Sequence, residues 1–318
     1  MTFNSTLLWL VTDFYSTTLH TQDHCLLPLH QTLEPLLEGY QIGLRNGDVE
    51  SAANNLIFRV NHLYYVGRPL DSLLPEIQAD IDAMTRLHQN QTKLFTLTFL
   101  LLVKKLLGLT VEKSENQDFD TLEGIQKYAV ETGNKSIRAN AIMARLELSL
   151  IFQKWGDATK LLAEAGDLRS CLTGRYDMTR FTAIEVLISI QAANGETSWL
   201  KKRTWKKKAV KSMKMIRGWV KMGNGNLVHT LHLLEAELAA LQGKNEKAEE
   251  NFKAAITVAS RNGFIQDRAF SSEMASEYYR GRGDDYWRNY HMENAIKCYS
   301  EWGASSKLEE LAARGVSG

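Results

Sequence analysis

The sequence predicts an all-α chain of stacked antiparallel helical hairpins, and three observations carry that prediction. First, one pattern is written twice at an offset of 40 residues: Glu237, Gly243, Ala255, Ile256, Ser260 and Gly263 recur as Glu277, Gly283, Ala295, Ile296, Ser300 and Gly303. Second, glycines fall in pairs 20 residues apart, Gly243 with Gly263, Gly283 with Gly303 and, near the other end, Gly47 with Gly67. A helix end in the left-handed conformation favours a residue without a Cβ, so each pair marks two successive stops. Third, apolar residues recur at steps of three and four, the period of a helix with one buried face. Self-similarity at this length marks a helical repeat protein, whose hairpins cover each other's apolar faces.

Residues Thr6 to Leu19 put Leu7, Leu10, Val11, Phe14 and Thr18 on one helical face, so a first amphipathic helix is expected almost at the start. Little sequence precedes it to cap an array, which leads us to expect a piece of something longer. Pro28 and Pro35 punctuate the approach to a second helix ending near Gly47. Asp48 is placed to accept amide hydrogens as the next N-cap. Ala52 follows Gly47 by five residues, as Ala248 follows Gly243. A small side chain there lets two helices of a hairpin approach closely. Pro69 suits the first turn of a helix carrying Leu70, Leu73, Leu74 and Ile77. Leu94 to Val103 is the longest apolar run, and Lys104 and Lys105 end it well short of the roughly 20 residues of a membrane span, so it reads as a buried helix.

The polar run Glu112 to Asp118 reads as a surface loop. Helices resume at Thr121, pause at Gly133 and Asn134, and continue through Ile142, Leu146, Leu150 and Ile151. Trp155-Gly156-Asp157-Ala158 reads as a tight turn with an Asp157 N-cap, and Ala193 to Ser198 as a second loop. From Lys201 to Lys221 there are ten Lys or Arg residues and no acid, while Trp205, Ala209, Met213, Ile216 and Val220 keep an apolar stripe. Acids of the following segment, Glu235, Glu237, Glu246, Glu249 and Glu250, are expected to neutralise that basic face. Leu227, Leu231, Leu234, Leu238 and Leu241 then form one stripe, read as a helix buried along one side. Its partner begins near an Asn245 N-cap and carries Ala248, Phe252 and Ala255.

The spacing of Ala248, Phe252 and Ala255 resembles the second helix of a tetratricopeptide repeat, where two small residues admit a neighbour and an aromatic fills the gap. The period of 40 exceeds the usual 34 of that repeat, so the expected architecture is a tetratricopeptide-like α-solenoid of longer hairpins. It is expected to form a single helical-repeat domain over residues 1–318, with softer joints at 110–120 and 194–200. Several runs extend the resemblance: Leu36-Leu37-Glu38-Gly39-Tyr40-Gln41-Ile42-Gly43-Leu44 with Asn46 to Ala52, Gly223 to His229, Leu233 to Glu237, and Tyr299-Ser300-Glu301-Trp302-Gly303-Ala304-Ser305-Ser306-Lys307. Together they resemble the helical region of large multidomain signalling proteins, of cyanobacterial and algal type, that join a P-loop ATPase to sensor and histidine-kinase-like modules. The resemblance implies a connecting scaffold. It carries no catalytic residue across, since the chain has no phosphate-loop motif; Gly243-Lys244-Asn245 reads as a helix end.

A net charge of +1 with 24% charged residues selects globally for neither nucleic acid nor an anionic membrane. Three scattered cysteines, Cys25, Cys171 and Cys298, read as buried small side chains in a reducing compartment, and no basic n-region precedes the first apolar run, so a cytoplasmic location is expected. His20 and His24 with Cys25 lack a further ligand at suitable spacing, and no metal or cofactor is expected. His229 and His232 lie off the leucine stripe and read as surface histidines. The candidate partner-binding surface is Lys206, Lys207, Lys208, Lys211, Lys214 and Arg217 with His229 and His232. The repeat positions are Gly47, Gly67, Ala52, Gly243, Ala248, Phe252, Ala255, Gly263, Gly283, Ala295, Tyr299 and Gly303. The expected function is non-catalytic: a scaffold for a protein or peptide partner or for flanking ATPase, sensor or kinase domains. A free-standing adaptor is the first alternative, and a nucleic-acid binder using residues 201–221 the second.

Overall fold

The computed structural model describes residues 27–111 and 117–315. The expected amino-terminal helix, with His20, His24 and Cys25, and residues 112–116 of the expected loop lie outside the described residues. Regular structure among the described residues is entirely helical. It comprises α1 (Leu33–Asn46), α2 (Val49–Tyr65), α3 (Leu70–Arg86), α4 (Asn90–Leu107), α5 (Leu122–Glu131), α6 (Lys135–Ile151) and α7 (Trp155–Ala165). There follow α8 (Tyr176–Gly195), α9 (Trp199–Lys221), α10 (Val228–Leu241), α11 (Asn245–Arg261), α12 (Ile265–Arg282), α13 (Asp285–Trp302) and α14 (Ser305–Ala313). Among the described residues, no helix is long and apolar enough to cross a membrane.

The chain divides into two compact units. One holds the described residues up to Lys105 with Leu109–Arg145 and Asp167–Met178; the other holds Leu106–Gly108, Leu146–Gly166 and the residues from Thr179 onward. In the first unit, α1 and α2 form a hairpin. Gly47 closes α1 at φ 75°, and the Asp48 carboxylate accepts from the Ser51 amide at 3.1 Å to cap α2. Close approach depends on both helices, because Ala52 faces Gly43: a Cβ at Gly43 would lie 2.9 Å from the Ala52 Cβ. Pro69 is the N-cap of α3 rather than a first-turn residue, with ψ at 130°, and Pro75 lies inside that helix. The core of this unit contains the buried acid Asp177, which accepts from the Asn61 amide at 2.9 and 3.0 Å and from the Tyr65 hydroxyl at 3.0 Å, and pairs with Arg175.

In the second unit the duplicated pattern forms two hairpins, α10 with α11 and α12 with α13, and α11 packs on α12. Gly243, Gly263, Gly283 and Gly303 all adopt positive φ, from 71° to 90°. Ala248, Phe252 and Ala255 are buried between helices, as are Ala295 and Tyr299 of the second copy. Three local expectations change. The turn before α7 is made by Gln153 at φ 51° with Lys154 as N-cap, so Asp157 sits inside the first turn near the positive helix end and makes no cap. Asn245 is likewise the first residue of α11 and not its cap. The helix α10 is buried around most of its circumference: His229, Thr230, Leu233, Ala236 and Glu237 are buried, while Leu231 and Leu241 of the leucine stripe are only half-buried. A helix packed on two sides has no single buried stripe.

Candidate functional site

The repeat determines what the second unit presents to solvent. Helices α8, α10 and α12 line an open trough of about 950 Å³. Gln191 and Asn194 come from α8, Glu237, Ala240 and Leu241 from α10, and Glu277, Tyr278, Arg280 and Gly281 from α12; Trp155 and Arg314 stand at its edge. Glu237, Ala240 and Leu241 on one hairpin correspond, 40 residues on, to Glu277, Arg280 and Gly281 on the next. A hollow of about 810 Å³ shares Trp155 and Gln191 with this trough and runs along the start of α9, past Leu200, Lys201, Thr204 and Trp205. A third, of about 420 Å³, shares Glu277, Arg280 and Arg314 and reaches Arg288 and Asn289 on α13.

The two equivalent acids of the trough differ in state. Glu237 is buried and its carboxyl accepts from the Gln191 amide at 2.9 Å. Burial pushes its pKa up to about 8, against the smaller pull of that hydrogen bond, so at neutral pH it carries its proton. Glu277 is half-buried and pairs with Arg280. Arg282 at the trough edge donates to the Tyr278 hydroxyl at 2.8 Å and lies 3.3 Å from Glu249.

The basic helix is less compensated than the sequence implied. Ala209, Met213 and Ile216 face the core, and Trp205 is half-buried. Lys207, Lys211, Lys214 and Arg217 are exposed, and Lys206 and Lys208 half-buried. Lys208 lies 3.3 Å from Glu185 and over the Trp205 ring at 5.7 Å, and Arg217 lies 3.0 Å from Glu235. The other eight cations of Lys201 to Lys221 have no ion-pair partner among the described residues. The expected neutralisation by Glu235, Glu237, Glu246, Glu249 and Glu250 is therefore limited to Glu235. Glu237 is turned inward to Gln191, and Glu249 pairs with Arg282 on α12.

The two histidines also separate. His232 is half-buried and bonded to Asn251 at 3.0 Å. His229 is not a surface residue: it is buried, stacks on Phe264 at 4.5 Å and meets Asp267 through Nε2 at 3.0 Å. Asp267 also accepts from Arg180, at 2.9 Å, and Arg180 forks onto Glu147 at 2.6 and 2.9 Å. Burial acts to raise the Asp267 pKa, but Arg180 and His229 outweigh it and hold the carboxyl at about 2. The space enclosed by His229, Asp267 and Ser271 is about 10 Å³, room for about one water. A second buried pair joins the last helices: Lys307 and Glu273, both fully buried, meet at 2.7 Å, and the Tyr299 hydroxyl donates to the same carboxylate at 2.8 Å.

Neither network was apparent from spacing, because each joins residues from helices far apart in sequence. Cys298 is buried and Cys171 half-buried, and among the described residues no three His, Cys, Asp or Glu side chains are grouped to hold a metal ion. A scan against protein-family models gives no match, and a search of the curated proteins gives none either.

Proposed function

We propose that this chain is a non-catalytic interaction scaffold that acts in the cytoplasm and holds an extended segment of a partner protein in the trough along α8, α10 and α12. The observation that carries the reading is the repetition of lining positions: Glu237, Ala240 and Leu241 on one hairpin and Glu277, Arg280 and Gly281 on the next bring corresponding positions, each with its own side chains, to successive steps of one open surface. The resemblance of the Leu36 to Ala52 and Tyr299 to Lys307 runs to the helical regions of signalling ATPases and kinase-like proteins makes such a parent protein the favoured context. A free-standing adaptor is the competing one.

The test uses the full chain as bait in paired captures, wild type against an Arg280→Glu, Asn194→Lys variant whose substitutions lie on the trough wall. A partner held by the wild type and released by the variant supports the reading. ATP hydrolysis that stays with the chain through orthogonal purification steps would refute a non-catalytic role. Reading the genome on either side of the coding segment distinguishes parent protein from adaptor, because an in-frame phosphate-loop motif upstream is expected only for the former.

A further inference from the structure

We infer that the exposed face of α9, together with the hollow beside Trp205, docks an acidic segment of the partner polypeptide. This deepens the scaffold reading and rests on it. Ten cations and no acid lie between Lys201 and Lys221, and eight of the ten have no ion-pair partner among the described residues. Unpaired like charges on one helix repel one another, by a few tenths of a kcal/mol for each pair spaced three or four apart. An anionic partner relieves that repulsion, which gives the surface a preference that a neutral ligand would not satisfy.

The charge is also local. The whole chain carries only +1, so everything outside this helix is net negative. That distribution suits a short acidic segment lying along about 33 Å of helix better than a long nucleic acid, whose phosphates would outrun the patch. A membrane is disfavoured for a different reason. The apolar stripe of Ala209, Met213 and Ile216 is already buried against the core, and the exposed apolar residues of the helix, Trp199 with Leu200 and, further along, Val210, are separated by cations and form no continuous apolar face to enter lipid.

The neighbouring hollow supplies the second element of recognition. Leu200, Lys201, Thr204 and Trp205 form one wall and Lys160 stands on the other, so apolar side chains between the acids of a partner have a place to lie. Because this hollow shares Trp155 and Gln191 with the main trough, one segment can pass from the basic helix into the trough without leaving the surface.

The experiment titrates a fluorescently labelled polyglutamate peptide into the full chain and follows anisotropy across a salt series. Wild type is expected to bind, more weakly as salt rises. Reversing three exposed charges, Lys207→Glu, Lys211→Glu and Lys214→Glu together, is expected to reduce affinity about tenfold or more while circular dichroism stays unchanged. Lys253→Glu, an exposed reversal on α11, is expected to leave binding as it was. Unchanged affinity in the triple variant overturns the inference, as does no binding of polyglutamate by the wild type. Tighter binding of a DNA oligonucleotide or of phosphatidylserine vesicles than of polyglutamate overturns it as well. A partner that the triple variant still captures, and the trough variant releases, would sink this inference alone and leave the scaffold standing.

Discussion

The Glu237 carboxyl couples the floor of the trough to the stability of the second unit. In the unfolded chain it ionises at the ordinary value of 4.5, and in the folded chain, desolvated by burial, at about 8. Between these values the folded protein keeps a proton that the unfolded chain has released. Stability therefore falls as pH rises through that window, by about 1.4 kcal/mol per pH unit, and the contribution fully present below 4.5 is lost by about 8. Over the whole window the loss has a ceiling of about 5 kcal/mol, reduced by whatever water the open trough lets in. Glu237→Gln removes the titration while keeping the shape. The new amide oxygen can accept from Gln191 as the carboxyl did, and its NH₂ takes the place of the carboxylic O–H. The variant should match the wild type below pH 4.5 and exceed it by a few kcal/mol above pH 8, read from urea midpoints followed by tryptophan fluorescence. A variant whose stability follows the wild-type pH slope, or which is the weaker protein in alkaline buffer, would show that Glu237 is not the buried neutral acid described.

Other substitutions separate the remaining forces. Lys307→Met strands Glu273 in the core and should cost about 3–5 kcal/mol in thermal or urea unfolding, whereas adding Glu273→Gln should restore most of it, because removing both charges leaves nothing uncompensated; a double variant no better than the single one contradicts this. Arg180→Met leaves Glu147 and Asp267 without their cation, with a loss of similar size. The stabilisation from Asp267 is present above its unfolded value of 3.8 and lost as pH falls through about 2, so the deficit of the same variant should be largest above 3.8 and should close toward wild type as pH falls to about 2. Gly43→Ala should cost about 1–3 kcal/mol, since the new Cβ would sit 2.9 Å from both the Ala52 Cβ and the Asp48 carbonyl oxygen. Gly47→Ala, with open space around it but φ at 75°, should cost about 1–2 kcal/mol through conformation alone, and Ala52→Gly should not rescue it.

Helix stops were legible wherever a single residue sets them. Gly47, Gly67, Gly243, Gly263, Gly283 and Gly303 announce themselves because few other side chains tolerate their backbone angle, and Asp48 because a short carboxylate beside such a glycine has one local use. The turn at Gln153 was not legible, since a glutamine at φ 51° is held there by its surroundings and not by its own preference. Small residues at hairpin contacts were read from one helix only. Ala52 is marked by its spacing from Gly47, while Gly43 opposite it, and Gly39 against Asn55, supply the other half of the contact, and a glycine every fourth residue on a helix is a signal of close packing. The candidate site fared less well. Charge on α9 was visible, but its neutralisation was inferred from adjacency in sequence, and the acids of α10 and α11 turned out to face Gln191 and Arg282 as much as the basic helix. His229, Glu147, Asp267, Glu273 and Lys307 all have surface-type side chains, and only three-dimensional pairing lets them be buried.

The corresponding positions Glu237 and Glu277 share a place in the repeat but not an environment, one buried with its pKa pushed up to about 8 and the other half-buried and paired with Arg280. A duplicated hairpin thus behaves as a series of separable registers: each step contributes its own short row of side chains, and a change in one row alters what is read at that step without rebuilding the others. Under the proposed scaffold role, ligand preference would be edited one hairpin at a time, with the glycine stops and alanine contacts that hold the helices left untouched.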